Sequence, residues 1–363
     1  MTVAAADSGP TTVSTTPTEQ TSKDDVAKIV EASSGNRYKI LEVIGKGGFG
    51  MVHRAIREPQ DRGSGSVPRL VQQYAVKTEQ ESSISLEVDV LMAAHNKVHF
   101  CKLWDHGQDP DTGVHYFVMS LLGPNLMEAR NEICGRKFSL STVVRIAMQT
   151  LHAIEELHSI GFLSRDVKPS NFALGRINSK KRRLIHMLDF GIARKYRDGN
   201  GELLPERESG GWRGTSRYCS LNIHRRLDQS RRDDIESWFY MVVEFTSGHL
   251  IWGHLTRSQK PEIGNLKALS RSVYRRSFLN GCPSDYNVIF DVIDRWGFKT
   301  DPDYCGILVC LMRIMKANKI SFDDYYDWEL FPEAALKFDR RKRAPRVVKD
   351  EVGQILSYVV KKK

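Results

Sequence analysis

Cysteine is scarce in this chain: six residues in 363, at positions 101, 134, 219, 282, 305 and 310. No two of them form a CxxC pair, so neither a zinc site nor a thioredoxin-type dithiol is expected, and free thiols in a reducing compartment are the simple reading. Also missing is any run of about 18 consecutive apolar residues, the length a membrane-spanning helix needs. The stretch from Met1 to Pro10 has neither the basic residues nor the apolar run of a secretory signal. No internal repeat is visible. These absences lead to the expectation of a soluble intracellular protein, cytoplasmic or nuclear.

What is present excludes wholesale disorder. Hydrophobic residues make up 40% and charged residues 27%, enough for a large core in a chain that by length alone would hold two to three domains. The net charge is +10. It is spread unevenly: residues 1–36 hold two lysines against five acids, whereas residues 337–363 hold ten Lys/Arg against three acids. A basic body and tail suit anionic partners, whether nucleic acid, acidic lipid, acidic protein surfaces or phosphorylated substrates, and charge alone does not choose among them. Residues 1–22 are rich in Ser, Thr and Pro and nearly devoid of large apolar side chains, so they are expected to be disordered. A short helix is expected over Asp24–Ala32. The tail carries Arg340-Arg341-Lys342-Arg343, then an apolar stretch, then Lys361–Lys363. It reads as a solvated segment or as a docking segment for an acidic partner.

Between these ends the periodicity changes. Tyr38–Ile44, Val52–Ile56, Tyr74–Lys77 and Tyr116–Leu121 are β-branched or aromatic stretches separated by turn signals, which predicts an antiparallel sheet. From Ser139 onward Val143, Ile146, Ala147, Thr150, Leu151, Ile154 and Leu157 follow helical spacing, and that spacing returns in Ile235–Phe245 and Cys305–Met315. The prediction is an α+β chain in two lobes, a strand-rich one and a larger helical one, with the site in the cleft between them.

The motifs fall along that junction. Gly45-Lys46-Gly47-Gly48-Phe49-Gly50-Met51-Val52 fits GxGxxGxV between the first two strands, where glycines let backbone N–H groups approach phosphate; the same glycines would also serve an ordinary hairpin. A dinucleotide-binding fold is disfavoured because a strand, not a helix, follows. Lys77 ends an apolar strand in Tyr74-Ala75-Val76-Lys77 and is either a surface residue or a phosphate ligand. Glu87, in the helical stretch from Ile84 to Leu91, could pair with it, with Glu79 and Glu81 in the connecting loop as competitors. Leu163-Ser164-Arg165-Asp166-Val167-Lys168-Pro169-Ser170-Asn171 supplies a carboxylate, a lysine two residues on and an asparagine five residues on; Leu188-Asp189-Phe190-Gly191 follows. A carboxylate base, a cation for transferred phosphate and oxygen ligands for magnesium are what phosphoryl transfer requires.

Residues 38–331 resemble a eukaryotic protein kinase, and more closely the casein kinase I superfamily. The narrower resemblance lies in Met119-Ser120-Leu121-Leu122-Gly123-Pro124-Asn125-Leu126, Lys168–Phe172, Gly214–Asn222 (in the place of Ala-Pro-Glu) and Ser230-Arg231-Arg232-Asp233-Asp234-Ile235-Glu236-Ser237. Phe239–Phe245, Asp301–Tyr304 and Asp327-Trp328-Glu329 are similar to the tau-tubulin kinase-like branch. The resemblance implies a bilobal protein kinase fold over 37–334 (lobes 37–120 and 121–334), flanked by a 1–36 extension and a 335–363 tail. It implies a monomer that transfers the γ-phosphate of ATP, with Mg2+, to Ser/Thr of proteins. Ile44, Gly45–Gly50, Val52, Ala75, Lys77, Glu87 and Met119–Leu122 would bind ATP. Asp166 would be the base, Lys168 the γ-phosphate contact, and Asn171 and Asp189 the metal ligands. Asp234 would brace the catalytic loop. Arg217 would form an anion site favouring acidic or phosphorylated substrates, in keeping with the basic stretch from Arg194 to Arg217.

Ser164 departs from the family, which has histidine there, and the link from Ile56 to Tyr74 is long and Gly/Ser-rich. Neither change touches a residue that handles phosphate or metal. The main rival is a pseudokinase scaffold with the same fold. A nucleic-acid or membrane-surface binder is disfavoured because no reader motif accompanies the charge.

Overall fold

A computed structural model describes residues 29–32, 34–47, 50–58, 72–79, 83–110, 112–176, 179–331 and 333–334. Among the described residues six strands come first: β1 (Ile29–Glu31), β2 (Arg37–Gly47), β3 (Gly50–Arg57), β4 (Gln73–Glu79), β5 (Leu103–Gln108) and β6 (His115–Ser120), with helix α1 (Ser83–Ala93) between β4 and β5. They form one sheet in the order β1-β2-β3-β4-β6-β5, every pairing antiparallel. The four predicted strands are all present. β5 carries Asp105, His106, Gly107 and Gln108, a weak strand sequence, and it is held in place by pairing with β6.

The amino-terminal expectation needs correction. Residues 29–31 are strand, not the end of a helix, and they pair with Arg37–Lys39. Val30 and Ala32 are buried with Tyr38, Tyr74 and Tyr116 in a small apolar cluster on the sheet. The boundary expected at 36/37 thus falls inside the folded sheet. The burial of two small apolar side chains decides it, because an edge strand completes a core that β2 leaves open. Residues 1–28, the Ile56–Tyr74 link from 59 to 71 and the basic tail lie outside the described residues.

The second lobe is helical. After α2 (Leu126–Glu128) come α3 (Leu140–Ser159), the short strands β7 (Phe162–Leu163), β8 (Phe172–Leu174), β9 (Ile185–Met187) and β10 (Arg194–Lys195), and α4 (Leu221–His224). Then follow α5 (Arg231–Ser247), α6 (Lys260–Leu269), α7 (Arg275–Phe278), α8 (Asp285–Arg295), α9 (Tyr304–Ala317) and α10 (Asp327–Leu330). Ser139 caps α3 by accepting the Thr142 amide at 3.2 Å. Helix α5 ends at Gly248, whose φ of 90° is the left-handed conformation glycine adopts freely.

Helix α5 is buried without interruption from Asp233 to Phe245, the pattern of a helix enclosed on every side rather than an amphipathic one. Phe239 sits at its centre, with ring centroids of Phe278, Tyr286 and Phe290 at 6.2, 5.7 and 5.3 Å. Replacing Phe239 by alanine is expected to cost about 3–5 kcal/mol, read as a lowered midpoint in thermal or urea unfolding; an unchanged midpoint would remove α5 from its place as the centre of the lobe.

Candidate active site

A cleft of about 610 Å³ lies where the sheet meets the helical lobe. Of the residues expected to bind nucleotide, Ile44, Gly45, Lys46, Gly50, Val52, Ala75, Lys77, Glu87 and Met119–Leu122 line it. Gly47 is the last residue of β2, and Gly48 and Phe49 lie outside the described residues. Gly50 has φ 144°, and a Cβ there would collide with the Thr78 carbonyl, so the return into β3 requires glycine. Lys168, Asn171 and Asp189 line it as well, whereas the apolar wall residues Leu91, Phe117, Ala173, Leu188 and Phe190 were not among the expected site residues. These apolar residues come from four separate elements or turns, and only the fold brings them together.

β4 pairs with β6 so that Lys77 stands opposite Phe117, and its ammonium points into the cleft. There it meets the Glu87 carboxylate from α1, with Glu79 at 3.1 Å and Asp189 at 3.7 Å. Glu79 belongs to β4 rather than to the connecting loop, so it joins this cluster instead of competing from outside. Burial pushes the Glu87 carboxyl up to about 7, against the pull of the Lys77 ammonium. Burial also opposes the charge on Lys77, but Glu87 and Asp189 hold it above its usual value.

Beneath the cleft, the loop from Ser164 to Asn171 is fastened to α5. The Asp234 carboxylate accepts the backbone amides of Ser164 at 2.7 Å and Arg165 at 2.9 Å, and lies 3.0 Å from His158 Nε2. Arg165 takes φ 64° between these anchors, a conformation that a non-glycine residue keeps only where its surroundings impose it. Ser164 is fully buried, and its amide, not its side chain, makes the contact with Asp234. Asp166 emerges with both oxygens engaged: Oδ1 accepts the Thr215 amide at 3.0 Å and hydroxyl at 2.8 Å, and Oδ2 accepts from Lys168 Nζ at 2.5 Å.

Asn171 donates Nδ2 to the Asp166 carbonyl at 3.0 Å, and its own carbonyl accepts the Leu188 amide at 2.8 Å. With β8 paired to β9, this brings Asp189 beside Asn171 on the cleft wall. The amide oxygen of Asn171 and the carboxylate of Asp189 are hard oxygen donors of the kind magnesium takes. Among the described residues, no group of three or more His, Cys, Asp or Glu could hold a metal by itself; two oxygen donors on the cleft wall would suit an ion shared with a bound anion. Phe190 is fixed by stacking on Phe100 at 5.5 Å. Behind Phe100, Glu156 of α3 accepts the amides of Val98 and His99, each at 3.0 Å. Nothing in the local sequence marks Glu156 for this role.

Comparison with known proteins agrees with this arrangement. Residues 38–285 match the protein kinase domain model. A Caenorhabditis elegans protein, serine/threonine-protein kinase spe-6, is 33% identical over 309 residues, covering 83% of this chain and 78% of that one. A Dictyostelium discoideum protein named "probable serine/threonine-protein kinase" is 33% identical over 298 residues, 81% of this chain; the chain spans 57% of that relative's length. This chain belongs to the protein kinase family.

Within this kinase domain the position of Arg217 differs from expectation. Its guanidinium donates to the Glu244 carboxylate and to the Gly253 carbonyl, so it is a tie between the segment before α4 and helix α5 rather than an open anion site. A different basic cavity, of about 330 Å³, is lined by Arg165, Arg194, Arg207, Gly211 and Arg213. Arg194 and Arg207 both bind Asp228. Burial opposes the Asp228 charge, yet hydrogen bonds from Arg207 and Arg194 hold it down to about 2. Burial, with Arg194, Arg207 and Arg213 nearby, depresses Arg165 to about 10.

The Lys77–Glu87 pair gives a pH expectation. Glu87 is ionised above about 7 and protonated below, where Lys77 loses its main partner and its fixed position. ATP affinity, measured by titration calorimetry, is expected to fall as pH is lowered from 8 to 6. Glu87→Gln should weaken binding at pH 8 and flatten that profile; a profile identical to that of the unmodified protein would refute the role given to Glu87.

Proposed function

We propose that the chain is an active protein serine/threonine kinase that uses ATP with Mg2+. One observation carries the reading: a single ammonium, Lys77, is held between Glu87 of α1 and Asp189 of the Asp-Phe-Gly turn, in the cleft that Lys168 and Asn171 also line. Lys77 is placed to pair with nucleotide phosphates. Asp166 accepts the proton of the substrate hydroxyl as its oxygen bonds to the γ-phosphorus and the bond to ADP breaks. Lys168, already on Asp166, offsets charge on the phosphoryl group in flight. Asn171 and Asp189 would hold the magnesium ion, which when bound neutralises phosphate charge.

The casein kinase I superfamily, in its tau-tubulin kinase-like branch, is the finer placement we favour. It is supported by the Lys168–Phe172 and Gly214–Asn222 stretches and by Asp234, whose two amide contacts brace the catalytic loop as that resemblance implies. Among the described residues, no helix is long and apolar enough to cross a membrane, and we place the protein in the cytoplasm or nucleus. Preference for acidic or phosphorylated substrates fits the cavity of Arg165, Arg194, Arg207 and Arg213 better than Arg217, since of its four guanidinium groups Arg194 and Arg207 share the single carboxylate of Asp228 while Arg165 and Arg213 donate to backbone carbonyls.

Incorporation of radiolabelled phosphate from ATP into casein tests the activity. Asp166→Asn is expected to lower the rate by about 10²–10⁴-fold, and EDTA should abolish it. No incorporation above the Asp166→Asn level would favour the pseudokinase scaffold. For the substrate reading, Arg213→Ala should lower kcat/KM for acidic or phosphoserine peptides by about tenfold, the scale of a charge-assisted contact, and change neutral peptides less than about twofold. Raising salt past about 0.15 M should shrink the difference. An equal loss for all peptides would overturn it.

A further inference from the structure

The segment from Gly214 to Cys219 runs directly from the base, because Thr215 donates both its amide and its hydroxyl to Asp166. Its next residues are fastened to helix α5 and its surroundings. Glu244 of α5 accepts from Arg217 Nη2 and from the Tyr218 hydroxyl at 2.6 Å. Arg217 Nη1 donates to the Gly253 carbonyl, and the Trp252 indole donates to the Arg217 carbonyl at 2.8 Å. The buried Lys267 ammonium donates to the carbonyls of Ser216 and Cys219. Glu244 is enclosed, with a side chain 3% exposed, whereas that of Arg217 is 34% exposed. The guanidinium therefore reaches solvent beside the place a substrate chain must occupy, while both terminal nitrogens are committed.

A second guanidinium, Arg130, lies behind the same carboxylate: its Nη1 is 3.6 Å from Glu244, and its Nη2 donates to the Gly248 carbonyl. One buried carboxylate thus serves two arginines and a tyrosine. An oxyanion binds an arginine strongly when its N–H groups and its charge are free to meet it; each terminal nitrogen of Arg217 already donates once, to Glu244 or to the Gly253 carbonyl, and the Glu244 carboxylate offsets its charge.

We infer that Glu244 is a specificity-determining positioning residue: it withdraws Arg217 from substrate recognition, so that the surface next to the acceptor hydroxyl is blind to substrate charge at this point. Arg217 then acts by holding the segment, and anionic groups on a substrate must be recognised elsewhere. This inference rests on the reading of the chain as a protein-directed kinase, but the grip of Glu244 on Arg217 can be measured without phosphoryl transfer.

Two measurements test it. Binding of a fluorescent serine peptide carrying phosphoserine amino-terminal to the acceptor, and of its unphosphorylated counterpart, is followed by anisotropy for the full chain and for Glu244→Gln, a substitution that preserves shape and removes the charge. Glu244→Gln is expected to favour the phosphopeptide over its counterpart by at least about fivefold more than the unmodified chain does, the upper range for a partly exposed charge pair. Adding Arg217→Ala should cancel that gain. A folded Glu244→Gln protein with an unchanged ratio would overturn the inference. Arg217→Ala alone gives a second, independent arm in kcat/KM. A common loss for neutral, acidic and phosphorylated peptides supports the holding role, and a loss confined to anionic peptides overturns it, whether or not Glu244→Gln folds. If no peptide is phosphorylated by any form while the binding ratios shift as expected, the kinase reading fails and the role of Glu244 stands.

Discussion

The carboxylate of Asp234 is the contact on which the site depends. Two successive backbone amides, those of Ser164 and Arg165, converge on it, with His158 on the remaining side. Arg165 is thereby fixed at positive φ, and the direction in which Asp166 leaves the loop follows from that. The polar side chains that the lower lobe brings to the cleft are referred to this point: Lys168 through Asp166, and Asn171 through the Asp166 carbonyl. Asp234 is itself fixed because it lies in the first turn of α5, where acidic side chains meet the positive end of the helix.

Arginine is used in two ways in the same lobe. At the cavity lined by Arg165, Arg194, Arg207 and Arg213, positive charge outnumbers the single carboxylate of Asp228. At α5 every guanidinium named has a buried counter-charge, since Glu236 sits between Arg232 and Arg271 and Glu244 between Arg130 and Arg217. Burial opposes the charge on Glu236, yet Arg271 and Arg232 hold its carboxyl down to about 2. A buried carboxylate flanked by guanidinium groups fixes geometry, because removing one partner leaves an uncompensated charge inside the protein. An arginine-rich sequence therefore does not by itself announce an anion site; the location of its counter-charges decides.

The sequence made some of this legible and concealed the rest for identifiable reasons. Lys77, Glu87, Asp166, Lys168, Asn171 and Asp189 were readable because their types and spacing follow the pattern phosphoryl transfer requires, and the fold brings all of them to one cleft or its edge. The four strands from Tyr38 to Leu121 and the three long helices were readable from period. β1 was not, since a three-residue strand has too few positions to show alternation, and its reason for existing lies in Tyr38, Tyr74 and Tyr116 across the sheet. The tie of Arg217 was not legible because its partner, Glu244, lies 27 positions later. Glu156 carries no mark at all, because its partners are backbone amides.

The small cluster under β1 bears on how this domain can be cut. Val30 and Ala32 close over Tyr38, Tyr74, Tyr116 and Val118, and the Tyr116 hydroxyl donates to the Glu31 carbonyl at 2.8 Å. A chain trimmed to begin at the first residue of the family match, 38, would keep every residue of the cleft and lose this cover. Its three tyrosines would then form a contiguous exposed patch next to an unpaired stretch of β2, a combination that invites sheet-to-sheet self-association. Truncation there would cost solubility rather than chemistry.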